Sequence, residues 1–555
     1  MGPLFTNRYR HIGRYREIVN ILSKHGLGHI LDLLGLNIHI GAFWRKKEIE
    51  ETPATTAQRL RMVFEELGPT FIKLGQILST RPDLLPPVYI SQLELLQDRV
   101  PPVSFEEIKA AVEDQLGQPI TEIFMNLSEM PLASASIGQV HEGYLLSGEH
   151  VVIKAQRASV ERIVETDLEI MYDVARLLEA RTSWGKFYKI VQMVDEFAKS
   201  IKEELNYIVE ARNAQKLADN LKGDPRIRIP KVYWEFSTRR ILILEFVAGI
   251  KITACQELDE AGIDKAEVGR RLANSILKQL LFDGFFHADP HPGNIAVDQE
   301  KRIVFMDFGM VGRLDEWMKD RLGAMLFNIA SKDVNGIVRV LIEIGDPQKK
   351  VNKQRLKRDI YRLFDKYYNR PLEEIKIGQA LRELLGLSFD YRIRVPVELV
   401  LMIRSLILLE GAVECLAPQV SIVELAEPFG KKLMREKLSP ENVGKAVLSY
   451  MFELSAISSS FPRHLDNLIQ TLEEGELKVT LEHQNFNKLV SRVNLLGNRI
   501  SFSLIVASII VGSSLVAQRS PKSLLWKLPI AEAGFVIAVL LGLWLLVSII
   551  RSRKI

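Results

Sequence analysis

Three oxygen-bearing side chains, those of Asp289, Asn294 and Asp307, stand at a spacing that constrains the fold more than any other feature of the sequence. Asp289 and Asn294 lie five residues apart in the run H-A-D-P-H-P-G-N, and Asp307 follows thirteen residues later in M-D-F-G. Carboxylate and amide oxygens are the ligands preferred by magnesium ions that bridge phosphates. A further carboxylate can accept a proton from an attacking hydroxyl or orient water. The pattern therefore predicts phosphate chemistry, with Asn294 and Asp307 on the metal and Asp289 as the catalytic residue.

The same run allows a second interpretation, in which His287 and His291 form a metal pair with H-x3-H spacing. No third ligand of a suitable type stands near them in the sequence. A lone Asp-Phe-Gly would also be weak, because a short motif needs a structural context. The combined spacing of the three oxygen-bearing residues favours the phosphate site.

Phosphate chemistry also needs a cation, and the run V-V-I-K ends on Lys154. It resembles the V-A-I-K strand of protein kinases, whose lysine pairs with phosphates and with a helix glutamate. Glu210 is the best candidate for that glutamate. If the run stood alone, an exposed lysine on an edge strand would be the default interpretation.

The segment before this strand departs from the kinase pattern. Residues 131–140 read P-L-A-S-A-S-I-G-Q-V where a glycine-rich loop would be expected. Glycines permit close approach of a backbone to phosphates. Alanine and serine would stiffen the loop and change how a nucleotide sits.

Apolar periodicity and turn residues give the order of the elements. The sequence predicts a hairpin over residues 139–145 and 150–156, helices over 56–79, 160–180 and 190–221, and short strands over 228–235, 240–247, 294–297 and 303–307. A β-rich unit followed by a mainly helical unit predicts an α+β, two-lobed, protein-kinase-like fold. The expected domains are a helical extension (1–125), an N-lobe (126–248), a C-lobe (249–487) and a C-terminal hairpin (488–555).

The C-terminal end carries two charge-free runs, residues 500–517 and 533–550, each 18 residues long. This length is at the lower limit for crossing a bilayer. Both runs are apolar around the whole helix and contain small residues at four-residue spacing, which favours two packed transmembrane helices. Two buried core helices are the alternative. A hairpin returns the tail to the side of the ATP site, which must face the cytoplasm.

Composition excludes several classes of protein. The net charge of the 555-residue chain is only +4, so no global field indicates nucleic-acid binding. The two cysteines, Cys255 and Cys415, lack C-x-x-C spacing, which excludes a disulfide framework and a cysteine zinc site and indicates a reducing compartment. The basic N-terminus lacks the apolar run of a secretory signal.

Together with the alanine-serine loop and the H-A-D-P-H-P-G-N run, the K-x-G-Q motif at Lys73 to Gln76 makes the chain resemble the UbiB/AarF family of atypical kinases over about residues 50–315. The resemblance implies a kinase-like fold whose N-terminal helical extension lies over the protein-substrate site. It implies ATP and Mg²⁺ as cofactors and ATPase activity that supports synthesis of ubiquinone or a related isoprenoid quinone.

The resemblance also assigns residues. Lys154 and Glu210 match the ion pair, Asp289 the catalytic aspartate, and Asn294 and Asp307 the metal ligands. Ala133, Ser134, Ala135, Ser136 and Glu245 are assigned to nucleotide binding, and Lys73, Gln76 and Glu204 to regulation. The family often has Glu-x-Asp where this chain has Glu204 and Asn206, so one acidic partner of Lys73 is lost.

The implied partners are membrane lipid and isoprenoid quinone precursors or quinone-biosynthesis enzymes, with a homodimer left open. The implied location is the inner cell membrane with a cytoplasmic kinase-like domain, ahead of a mitochondrial membrane. Two other functions stay open: a small-molecule phosphotransferase, because such enzymes use a similar catalytic loop, and a nucleotide-gated scaffold that binds an isoprenoid lipid.

Overall fold

A computed structural model describes residues 11–28, 53–79, 81, 85–96, 100–182, 185, 189–347, 351–368, 376–437, 444, 500–512, 514–515 and 536–542. The chain divides into two compact units, residues 1–445 and 446–555. The first unit contains all of the predicted site residues.

The N-terminal extension is a small helical layer with its own apolar core. Its helices are α1 (Ile12–Lys24), α2 (Pro53–Leu67), α3 (Pro69–Ser79) and α4 (Pro87–Leu93). The prediction of one helix over 56–79 was wrong, because the chain breaks at Gly68. Gly68 has a φ of +94°, which glycine adopts at no steric cost, and Pro69 then begins the next helix.

A five-stranded antiparallel sheet forms the first lobe. Helix α5 (Phe105–Leu116), capped by Ser104, packs on it. The sheet order is β1 (Phe124–Leu127), β3 (Gly138–Leu145), β4 (His150–Gln156) and β6 (Ile241–Glu245), with β2 (Ala133–Ser134) paired to β3. The predicted hairpin is confirmed. Its turn contains Gly148 at a φ of +93°.

Three helices follow the hairpin: α6 (Val160–Arg181), α7 (Ile190–Glu204) and α8 (Tyr207–Leu221). The prediction of one helix over 190–221 was wrong. The chain leaves helical geometry at Asn206, whose side chain accepts a hydrogen bond from the backbone N–H of Ile208 and so begins α8. The strand predicted over 228–235 shrinks to β5 (Ile227–Arg228) and a 3₁₀ turn, Trp234–Phe236.

The second lobe holds the loops that carry the predicted chemistry. One sheet has the order β5, β10 (Ile303–Phe305), β9 (Ile295–Asp298) and β7 (Gly249–Lys251), and β8 (Phe285–His287) pairs with β11 (Val311–Arg313). The Asp289–Asn294 segment joins β8 to β9, and Asp307 follows β10. Phe286, Phe305 and Phe308 are almost wholly buried beneath these loops.

Helices cover the rest of the second lobe. They are α9 (Cys255–Glu260), α10 (Lys265–Lys278), α11 (Glu316–Ala330), α12 (Val334–Ile344), α13 (Lys353–Tyr368), α14 (Ile377–Asp390), α15 (Val397–Leu416) and α16 (Ile422–Lys437). The short strands β12 (Asp346–Pro347) and β13 (Ile393–Arg394) pair with each other. Helices α10 and α15 pack against each other and form part of the large apolar core.

In the second unit, residues 500–512, 514–515 and 536–542 are helical. Within the part of the chain that the structure describes, no helix has both the length and the apolarity needed to cross a membrane. The predicted transmembrane hairpin is therefore not supported. The remaining residues of the two predicted spans, 513, 516–517, 533–535 and 543–550, lie outside the described residues.

Candidate active site

Lys154, Glu210 and Asp307 come together from three separate elements. Lys154 lies on β4, and its Nζ donates to Glu210 Oε1 at 2.9 Å and Oε2 at 2.8 Å from α8. Asp307 Oδ1 lies 3.7 Å from the same Nζ. The Glu210 side chain is 7% exposed, whereas that of Asp307 is 46% exposed. The ammonium thus bridges a buried carboxylate and an accessible one.

Burial and neighbouring charges shift the pKa of each of the three groups. Burial lowers the pKa of Lys154, but the charges of Glu210 and Asp307 outweigh this effect and leave the pKa well above its usual range. Burial alone would raise the pKa of Asp307, yet Lys154 and the Gly309 N–H hold it below its ordinary value. Asp307 is therefore ionised at neutral pH. An accessible, ionised carboxylate is a suitable ligand for a hard cation.

Glu210 behaves differently, because desolvation exceeds its attraction to Lys154. Burial, with a smaller contribution from the charge of Asp307, raises the pKa of Glu210 to about 7, although Lys154 lowers it. A group whose folded pKa is raised gains its proton as the pH falls through that value. Protonation removes one charge from the Lys154–Glu210 pair while the lysine stays charged.

We expect nucleotide affinity to fall as the pH is lowered through about 7, because protonated Glu210 no longer fixes the Lys154 ammonium. The measurement is the affinity for MgATP between about pH 5.5 and 8.5 by fluorescence titration. In Glu210→Gln the affinity should be low at every pH. A wild-type affinity that is constant over this range contradicts the expectation.

Two asparagine side chains fix the first two turns of α8, which carry Glu210. Asn206 caps the helix, and Asn213 Nδ2 donates to the Phe308 carbonyl at 3.1 Å. Phe308 is fully buried and packs against His287, with ring centroids 6.3 Å apart. The helix glutamate and the D-F-G segment are therefore coupled through Asn213.

Replacing the cap tests this positioning. Asn206→Ala leaves the Ile208 N–H without its partner and should cost about 1 kcal/mol of stability, with weaker MgATP binding because Glu210 lies in the first turn. Asn206→Asp should keep both the stability and the MgATP affinity of the wild type, since aspartate caps a helix as well as asparagine does. Thermal unfolding and nucleotide titration of the two variants check this. Equal behaviour of Ala and Asp would refute it.

The catalytic loop is fixed by its own backbone and by His287. The His287 Nδ1 accepts a hydrogen bond from the Asp289 N–H at 3.1 Å, and burial lowers the pKa of this histidine despite the charges of Asp307 and Asp289. His291 Nδ1 accepts from the Gly293 N–H at 3.1 Å. Because Nδ1 of each imidazole accepts from a backbone N–H, the ring proton lies on Nε2, and the alternative of a histidine metal pair gains no support.

Helix α15 supplies two residues that the sequence motifs do not mark. Arg404 on α15 places Nη2 3.5 Å from Asp289 Oδ1. Its neighbour Ser405 is fully buried and donates to the His287 carbonyl at 2.8 Å. Neither belongs to a local motif, and only an unusual Arg-Ser pair within an apolar helix could have marked them.

The alanine-serine loop forms a tight, braced turn. Ala133 and Ser134 pair with Val140 and Gln139, and the Ala135 N–H donates to the Gly138 carbonyl at 2.8 Å. The Ser134 Oγ accepts from Arg157 Nη2 at 2.9 Å, and Ser136 is buried. The Arg157 side chain thus braces the loop, and the stiffness expected from alanine and serine stays a prediction.

Gly138 explains why one glycine remains in this loop. A Cβ at this position would lie 2.4 Å from the Tyr207 hydroxyl oxygen and 2.6 Å from the Ala155 carbonyl oxygen. Tyr207 is buried under the loop, and its ring lies 5.2 Å from Lys154 Nζ. The loop therefore rests on the first residue of α8.

Glu245 stands away from this cluster, at the end of β6. Its carboxylate accepts from Arg228 Nη2 at 2.7 Å and from the Lys231 N–H at 3.2 Å. The side chain thus ties β6 to the segment around β5. Its assignment to nucleotide binding stays a prediction.

The K-x-G-Q helix, α3, contacts the end of α7 through Lys73. Lys73 Nζ forms an ion pair with Glu204 Oε1, at the end of α7. Gln76 Nε2 instead donates to the Leu96 carbonyl at 3.4 Å, inside the extension. Asn206, which replaces the family's aspartate, caps α8. The extension is therefore linked by Lys73 and Glu204 to the segment that begins the helix of Glu210.

The donor set suits magnesium and a nucleotide. Magnesium is usually held by one or two protein oxygens plus substrate phosphates, and Asn294 and Asp307 offer that number. The part of the chain described by the structure contains no group of three His, Cys, Asp or Glu arranged for a metal ion. When bound, Mg²⁺ would neutralise phosphate charge, and Lys154 would bind phosphate oxygens.

Three family models match the sequence. Residues 95–341 match the ABC1 atypical kinase-like domain, residues 360–421 the UbiB helical domain, and residues 484–551 the ABC1/UbiB kinase-like C-terminal domain. Arg404 and Ser405 thus belong to the UbiB helical domain. The two charge-free runs fall in the third match.

Similar proteins come from bacteria and plants. An uncharacterized protein in the hydrogenase 1 5′ region of Clostridium pasteurianum is 35% identical over 97% of this chain and 99% of its own length. A probable protein kinase UbiB of Marinobacter nauticus is 34% identical over 75% of this chain and 77% of its own length. The chloroplastic protein Activity of bc1 complex kinase 7 of Arabidopsis thaliana is 30% identical over 87% of this chain and 71% of its own length.

These matches agree with the site geometry, in which a lysine, a helix glutamate and a D-F-G aspartate meet beside an alanine-serine loop. The chain belongs to the ABC1/UbiB family of atypical kinase-like proteins.

Proposed function

We propose that this protein is a membrane-associated, Mg²⁺-dependent ATPase that supports the synthesis of ubiquinone or a related isoprenoid quinone. The ATPase activity is proposed from the Lys154–Glu210 ion pair, together with the ionised Asp307 that lies 3.7 Å from the Lys154 ammonium. The pathway rests on family membership and on the relatives named UbiB.

The residues of this chain divide the work in the proposed reaction. Lys154 orients phosphate oxygens, Asp307 and Asn294 hold the metal, and Asp289 orients the attacking water. Arg404, 3.5 Å from Asp289, restrains the carboxylate and adds positive charge on the acceptor side. The Lys73–Glu204 contact keeps the extension close to α8, which favours water over a protein acceptor.

Membrane association is proposed from the second unit. Large apolar side chains in its helical segments stand mostly in solvent: Ile500 is 68% exposed, Leu504 70% and Leu515 62%. Exposed apolar surface of this kind indicates a membrane or protein interface. We propose that this apolar surface lies against the inner cell membrane, with the ATP site in the cytoplasm.

The test of the pathway is the quinone profile of cells that lack this protein. We expect loss of the isoprenoid quinone with accumulation of a prenylated precursor, restored by the wild type but not by Asp307→Asn. A normal profile in the deletion strain would remove the pathway while leaving the ATPase intact. Restoration by Asp289→Asn, with ATP still bound, would instead favour the nucleotide-gated scaffold.

A further inference from the structure

The two cysteines of the sequence meet in the second lobe. Cys255 and Cys415 are separated by 160 residues, yet their Sγ atoms lie 3.9 Å apart. The Cys255 Sγ also lies 3.7 Å from the Cys415 carbonyl oxygen. Their spacing in sequence gave no sign of this pairing, because the fold alone brings α9 next to the end of α15.

Both thiols are accessible to a reagent in solution. Cys415 is exposed and Cys255 is partly exposed. A cation stands near them, because the thiols are among the groups that raise the pKa of Lys265, after its hydrogen bond with Asp259. Desolvation and the adjacent Cys255 thiol raise the pKa of the Cys415 thiol and outweigh the lowering by Lys265, so alkaline pH supplies the reactive thiolate.

We propose that Cys255 and Cys415 form a reversible intramolecular disulfide when the protein meets a small-molecule disulfide. The Cys415 thiolate attacks one sulfur of the oxidant, and a first small thiolate leaves. The Cys255 thiolate then attacks the Cys415 sulfur and releases the second. Two protein protons are lost, the two cysteine sulfurs are oxidised, and one oxidant molecule is reduced to two thiols.

The geometry requires little movement for this step. A disulfide needs the sulfurs about 2.05 Å apart, so the two sulfurs must approach by about 1.9 Å from their separation of 3.9 Å. Helices α9 and α15 already flank α10, which packs against both. The cross-link would therefore join neighbours and leave the core unchanged.

The cross-link would enclose the catalytic machinery. The closed loop runs from α9 to α15 and contains Asp289, Asn294 and Asp307, and α15 also carries Arg404 and Ser405, which contact the catalytic loop. A disulfide that closes a long loop restricts the unfolded chain and so raises the unfolding temperature. The expected signature is a stabilised second lobe in the oxidised protein.

The experiment uses the full-length protein in detergent and oxidised glutathione at about pH 8.5, since burial raises the pKa of the Cys415 thiol. We expect both thiols to disappear, the mass to fall by about 2 Da, and non-reducing electrophoresis to show a monomer. Peptide mapping should show one cross-linked peptide that contains Cys255 and Cys415. The unfolding midpoint should rise by several degrees and return after reduction.

Single variants supply the controls. Cys255→Ser and Cys415→Ser should each stop at a glutathione adduct and show no rise in midpoint. Stable adducts on the wild type, a disulfide-linked dimer, or two unreacted thiols would each overturn the proposal. Because mass and peptide mapping are read on the wild type, the result does not depend on the folding of a variant.

Discussion

Asp307→Asn is expected to reduce ATP hydrolysis in liposomes by about 10²–10³-fold, the cost of removing one preorganised charge from a transition-state site. The asparagine keeps the Oδ1 that accepts the Gly309 N–H at 3.0 Å, so the loop should fold unchanged. The substitution removes the negative charge offered to the metal, which also faces Lys154 Nζ at 3.7 Å. Phosphate release under saturating MgATP is the measurement.

Asp219→Asn is the matched control, because it makes the same change on an exposed face of α8. It should hydrolyse ATP at the wild-type rate. If Asp307→Asn stays within about twofold of the wild type, Asp307 is not a metal ligand and the proposed ATPase site is wrong.

Arg14→Met is expected to release helix α1 from the first unit, with a local loss of about 3–5 kcal/mol. Arg14 donates to Asp167 Oδ1 at 2.8 Å and Oδ2 at 3.0 Å, and the Asp167 side chain is 0% exposed. The substitution leaves a buried carboxylate without its cation. Hydrogen–deuterium exchange of residues 12–24 should accelerate by about two to three orders of magnitude.

Two variants calibrate this result. Lys24 lies on α1, like Arg14, and forms an exposed ion pair with Glu66 of α2. Lys24→Met removes this pair and should change the exchange of residues 12–24 little. The double variant Arg14→Met/Asp167→Leu should recover much of the protection, because an apolar pair avoids the buried charge. Unchanged exchange in Arg14→Met would show that apolar packing alone holds α1.

Much of the candidate site could be predicted because its parts are local motifs. The strand of Lys154, the loop of Asp289 and Asn294, and the D-F-G of Asp307 each carry their geometry in a few neighbouring residues. Glu210 lies 56 residues beyond Lys154, so no local motif pairs the two, and the structure places its carboxylate on the Lys154 ammonium. The family resemblance assigns Gln76 to regulation together with Lys73, yet the Gln76 side chain bonds to the Leu96 carbonyl within the extension, because Leu96 packs there.

The errors in the fold come from single residues that override a pattern. Apolar periodicity continues through Gly68 and through Asn206, so both segments appeared to be single helices. A positive φ at Gly68 and a side-chain cap at Asn206 end the helices there. The strand predicted over 228–235 is interrupted, because Ile227–Arg228 pairs with β10, Val232 bridges to Leu244 of β6, and a 3₁₀ turn begins at Trp234.

The family, the two-lobed order of elements and the residue types that handle phosphate could be inferred from sequence, since these depend on neighbours along the chain. Long-range packing alone brings Arg404 and Ser405 against the catalytic loop and Cys255 beside Cys415. Such contacts join residues up to 160 positions apart. They depend on how helices pack around a shared core, which no local pattern encodes.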